Sequence, residues 1–138
     1  MIDNYFTEAL RTLASDGAEL RLADDGAARI ETGGVEMTFV VPESNQEIVY
    51  CRAKVGPVAG HDEDGLSLAL LADNYMWTAT SGATLSICDG EVYLTERCDD
   101  AAFDGEGALA DYIASFASTV RLARARMATF ERTEGGGE

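Results

Sequence analysis

Few residues in the chain have types and spacing that could do chemistry. His61 is the sole histidine and sits in the acidic run Gly60-His61-Asp62-Glu63-Asp64. With no Cys-x-x-Cys pair and no second histidine at ligand spacing, the sequence predicts no metal site and reads His61 as a loop residue. Cys51, Cys88 and Cys98 could each supply a thiol, but a thiolate nucleophile needs a base and nothing in the spacing ties His61 to any of them. An odd number of cysteines at unrelated spacings argues against a disulfide framework and for a reducing compartment, where thiols serve as small buried apolar groups. Gly105-Glu106-Gly107-Ala108-Leu109-Ala110 fits Gly-x-Gly-x-x-Ala at a helix start. A dinucleotide loop would follow a buried strand and lead to a further parallel strand, whereas here a polar loop precedes and no strand pattern follows. Asp24-Asp25, Asp62-Glu63-Asp64 and Asp99-Asp100 lack the alternating acidic calcium loop and read as solvated turns. No catalytic residue, no metal ligand set and no cofactor is implied, so a non-enzymatic protein is expected.

The surrounding sequence reads as alternating element types. Ile2, Tyr5, Phe6, Ala9, Leu10 and Leu13 recur at helical spacing, with an end expected at Asp16-Gly17. A β-meander follows, in segments Ala18 to Ala23, Ala27 to Thr32 and Val35 to Val41, joined by Asp24-Asp25-Gly26 and Gly33-Gly34. Glu47 to Val55 resumes as a strand with Val49, Cys51, Ala53 and Val55 on one face. Asp62 or Asp64 can cap a helix through Leu66, Leu68, Leu70 and Leu71 that is apolar nearly all round and therefore needs cover on two sides. Ala83 to Cys88 and Glu91 to Cys98 flank Asp89-Gly90, a strong hairpin signal. A long helix is expected from Glu106 to about Phe130, burying Leu109, Tyr112, Ile113, Phe116, Val120, Ala123 and Met127. The expected class is α+β, in the order helix, antiparallel meander, helix, β-hairpin and long C-terminal helix.

Composition narrows the function. A chain of 138 residues, 46% hydrophobic and 25% charged, suits one domain, expected over residues 1–132 with a flexible tail at 133–138. A domain this size buries roughly two thirds of its unfolded surface, and a second subunit could extend the core. Twenty-five acidic residues against ten basic ones give a net charge of −15, which disfavours nucleic acid and anionic membranes as partners. No basic, apolar leader and no span of about twenty apolar residues is seen, so the protein is expected to stay where it is made.

The central residues resemble a known family. The run Leu70-Leu71-Ala72-Asp73-Asn74-Tyr75-Met76-Trp77, then Ser81-Gly82-Ala83-Thr84-Leu85-Ser86-Ile87, then Asp89-Gly90-Glu91-Val92-Tyr93-Leu94, is similar to the class I chaperones of type III secretion, the group of the Tir chaperone. The YbjN-like proteins share that fold. The resemblance implies a cytoplasmic bacterial homodimer that binds the N-terminal segment of a secreted effector, keeps it secretion-competent and targets it for export without ATP. It implies a dimer interface at Leu68, Leu71, Trp77, Leu85 and Ile87, with core packing in one subunit as the alternative for each. It places client binding on the first helix and outer sheet, at Phe6, Leu10, Met37 and Phe39, although the same four lie on the stripes expected to form the core. The alternative function is a YbjN-like, non-secretory interaction or regulatory protein.

Overall fold

A computed structural model describes residues 4–15, 20–22, 27–77, 80 and 82–132. Helix α1 spans Tyr5–Ser15, and strands β1 (Leu20–Leu22), β2 (Ala28–Thr32), β3 (Val35–Val40) and β4 (Ile48–Pro57) follow as an antiparallel meander. Helix α2 (Glu63–Asp73) leads through a short 3-10 turn at Tyr75–Trp77 to β5 (Thr84–Cys88) and β6 (Glu91–Asp99). A second 3-10 turn, Asp100–Phe103, precedes helix α3 (Ala108–Ala128). This is the α+β order expected from the sequence. The expected turn at Asp24-Asp25-Gly26 and the tail at 133–138 lie outside the described residues.

The six strands form one antiparallel sheet in the order β1-β2-β3-β4-β6-β5. Strand β6 therefore lies between β4 and β5, and the hairpin is attached to the meander by its second strand. Alternation sends one set of side chains from the central strands to the helices: Val35, Met37 and Phe39 of β3, Val49, Cys51, Ala53 and Val55 of β4, and Val92 and Leu94 of β6. These join Phe6 of α1, Leu66 and Leu70 of α2 and Leu109, Ile113, Phe116 and Val120 of α3 in one core. The hairpin turns explain their residues. Gly33-Gly34 and Asp89-Gly90 each have positive φ at both central positions, the twist that two-residue turns impose.

Polar groups lock the helices to this sheet. The Asp100 carboxylate, buried at the end of β6, accepts the backbone N–H groups of Tyr5 (2.9 Å) and Phe6 (2.8 Å), two of the donors a helix start leaves unpaired. The register of β4 slips between Lys54 and Gly56, and Arg124 of α3 donates to the carbonyls of Val55 (3.0 Å) and Lys54 (3.3 Å) at that bulge. Arg121 donates to the Gly33 carbonyl in the β2–β3 turn. Arg121 and Arg124 thus fasten α3 to the sheet. Asp62 occupies the N-cap position of α2 without a side-chain hydrogen bond, so only its charge favours the helix start.

Candidate functional site

The apolar character of α2 divides into two faces. Leu66, Ala69 and Leu70 are buried, while Leu68 and Leu71 are 69% and 68% exposed. Leu68 and Leu71 are neighbours at i and i+3 on the outer face of α2, and just past its end Tyr75 and Met76, in the 3-10 turn, are exposed to 78% and 68%. Ile87 of β5, 44% exposed, adds a further apolar residue on the strand that α2 packs against. Of the five residues expected at a dimer interface, Leu68, Leu71 and Ile87 are therefore at the surface of this chain. Leu85 is not: it is 6% exposed and points into the core. The Trp77 side chain lies outside the described residues.

Asn74 explains why this corner holds together. Its side-chain amide donates to the Leu85 carbonyl and its carbonyl oxygen accepts the Leu85 N–H, both at 2.8 Å. The end of α2 thereby satisfies an edge-strand residue as a neighbouring strand would. Asn74 lies within the family-like run Leu70 to Trp77, which by itself assigns it no role. The signal was the amide immediately after an apolar helix, a side chain able to donate and accept at once.

The residues expected to bind a client are placed differently. Phe6, Met37 and Phe39 are 3%, 0% and 1% exposed, so the structure makes them core. The Phe6 ring lies 5.1 Å from Phe39 and 5.4 Å from Phe103, and Phe103 lies 5.6 Å from Tyr112. The cause is the anchoring of α1 by Asp100, which turns the apolar stripe of the helix onto the sheet. Leu10 alone of the four is half-buried. A groove of about 420 Å³ runs between α1 and the start of α3, lined by Tyr5, Ala9, Leu13, Phe103 and Leu109 and edged by the acidic Glu8, Asp104 and Glu106; Leu10 is not part of its lining.

The groups with chemical potential are tied into structure. Cys51 and Cys98 are buried on adjacent strands near Tyr112, whose hydroxyl donates to Glu96 Oε1 at 2.6 Å. Burial, and after it neighbouring negative charge, pushes the Cys98 thiol up to about 11, and burial drives the Cys51 thiol and the Tyr112 phenol higher still. Both thiols are the protonated, unreactive form at neutral pH. Cys88 is exposed. His61 Nδ1 lies 3.3 Å and 3.2 Å from the carbonyls of Val58 and Ala59, and its backbone pairs with Glu131. Among the described residues no group of three His, Cys, Asp or Glu side chains converges as metal ligands would. Nor is any described helix long and apolar enough to cross a membrane.

Solved structures with this architecture identify the fold. No protein-family model matches the chain, and no curated protein sequence matches it. The crystal structure of the ExsC–ExsE complex matches with a TM-score of 0.71 at 16% identity, over 88% of this chain and 92% of that one. The Yersinia pestis type III secretion chaperone SycH, in complex with a stable fragment of YscM2, matches with a TM-score of 0.60 at 13% identity, over 85% and 97%. The chain has the type III secretion chaperone fold. YbjN from E. coli matches that fold as well, with a TM-score of 0.59 at 14% identity over 92% of this chain and 96% of its own.

Proposed function

We propose that the protein is a type III secretion chaperone. It acts as a homodimer in the bacterial cytoplasm, holds the N-terminal segment of a secreted effector in a non-globular, secretion-competent form, and presents it for export without ATP. The observation that carries this reading is the exposure of Leu68 and Leu71 on α2, and of Tyr75 and Met76 just past its end, on a chaperone fold. A monomer gains nothing by presenting four large apolar side chains to water, whereas a second copy would cover them. The client is held on apolar surface outside that interface, and the groove between α1 and the start of α3, with Ala9, Leu13, Phe103 and Leu109 in its lining, offers such a surface. Net charge of −15 keeps a protein with exposed apolar surface soluble.

Deleting the gene in its native host and measuring the secreted proteins under secretion-inducing conditions tests this. The expected outcome is loss of one secreted protein from the medium, reversed by restoring the gene. An unchanged set of secreted proteins overturns the proposal. The second reading, a YbjN-like interaction or regulatory protein, is favoured by the 92% of this chain that the YbjN likeness covers. It predicts altered gene expression with secretion intact.

A further inference from the structure

The face of the sheet turned away from the helices carries an arrangement that neither the dimer nor the groove uses. The strand register aligns Arg29 with Thr38, Thr38 with Arg52, Arg52 with Thr95 and Thr95 with Thr84. One row across the five strands β2 to β6 is thus built from arginine and threonine alone, in a protein with 25 acidic residues. The row beside it aligns Val40 with Tyr50 and Tyr50 with Arg97. Arg52 and Arg97 are exposed and Arg29 is half-buried. The Arg52 guanidinium lies over the Tyr93 ring at 5.2 Å, which fixes its position. Among the described residues none of these three arginines forms an ion pair. Of the acidic residues on the same face, Glu31 and Glu36 pair in the next row, two positions along from Arg29 and Thr38, while Glu91, beside Lys54 at 3.8 Å, and Asp99 lie at the two ends of β6, so the open side of the row is the one with Tyr50 and Arg97.

We propose that this arginine–threonine row, with Arg97 and Tyr50, is a docking surface for an acidic, extended segment of a polypeptide partner. Charge complementarity selects the occupant. The guanidinium groups offer paired donors to carboxylates, the threonine hydroxyls offer further hydrogen bonds, and the tyrosines supply flat apolar area between them. Neighbouring strands are about 4.8 Å apart, so Arg29 on β2 and Arg52 on β4 are separated by about 10 Å. A polyproline-type chain returns a side chain to the same side about every 9 Å, which matches carboxylates three residues apart. A long polyanion such as nucleic acid must approach a surface whose total charge is −15, whereas a short acidic segment engages the row locally, within about a Debye length of 8–10 Å. This surface is independent of whether the partner is secreted.

The test is fluorescence anisotropy of the full-length purified protein with a short labelled peptide carrying Glu at every third position. Its Gln counterpart and a short single-stranded DNA serve as comparisons. The acidic peptide is expected to bind, with affinity falling as salt is raised, and the Gln peptide to bind at least about fivefold more weakly. Arg52→Gln and Arg97→Gln should each lose about fivefold, with an unchanged circular dichroism spectrum, while Arg132→Gln, outside the sheet, should change nothing. No binding, equal binding of the Gln peptide, or equal losses for Arg132→Gln would overturn the assignment. Tighter binding of the DNA than of the acidic peptide would overturn its polypeptide half.

Discussion

Replacing Leu68 and Leu71 together by serine isolates the self-association surface. Fully burying a leucine side chain is worth about 1.5–3 kcal/mol. Each of these is about two thirds exposed in the single chain, so covering the remainder is worth about 1–2 kcal/mol per side chain. In a twofold interface each residue counts twice, and four leucines contribute about 4–8 kcal/mol. At about 1.4 kcal/mol per decade, the double variant raises the dimer dissociation constant by about a thousandfold or more. Neither side chain belongs to the buried core, so the stability of the isolated subunit should change by less than about 0.5 kcal/mol. Sedimentation equilibrium over a range of concentrations gives the association constant, and circular dichroism confirms the fold. A wild-type chain that stays monomeric at every concentration would refute the reasoning, as would a double variant that dimerises unchanged.

Four other outcomes follow from the packing and the titrating groups. Met37→Glu places a carboxylate at a position with no exposure, and should cost more than about 4 kcal/mol and abolish the folded circular dichroism spectrum rather than merely weaken a binding surface. Asp100→Ala removes the acceptor for two N–H groups of α1 and should cost about 2–4 kcal/mol, with hydrogen exchange accelerating first at Tyr5 and Phe6. The Cys98 thiol titrates from 9.0 when unfolded to about 11 when folded, so above pH 9 the unfolded chain releases a proton that the folded chain keeps. Its stabilising contribution is complete below pH 9 and is lost between 9 and about 11, with Cys51 and Tyr112 acting in the same direction. Urea midpoints should therefore fall as pH is raised through that range, and at neutral pH Cys88 should be the one thiol that alkylates quickly.

Much of the architecture was legible because hydrophobic period and turn chemistry are local. The strand expected at Val35 to Val41 is found at Val35–Val40, the one at Glu47 to Val55 at Ile48–Pro57, and the helix expected from Glu106 to about Phe130 at Ala108–Ala128. Asp89-Gly90 forms the hairpin turn it signalled. Long-range arrangement was not legible. That β6 pairs with β4, or that Asp100 caps a helix 95 residues earlier, depends on contacts with no trace in local spacing. The same limit explains the displaced client residues: a stripe of Phe6, Met37 and Phe39 has one period whether it meets the protein's own core or a partner. That α2 needs cover on two sides was legible because a helix apolar on all sides exceeds what one core can cover, whereas Leu68 and Leu71 were singled out only by the family resemblance; both are found exposed.

Affinity capture of the tagged protein from its native host, with secretion switched on, tests the central claim most directly. Limited proteolysis of the captured complex should then leave two copies of this chain and one protected N-terminal segment of a secreted protein. A pure dimer or monomer with no bound polypeptide under those conditions would contradict the chaperone account.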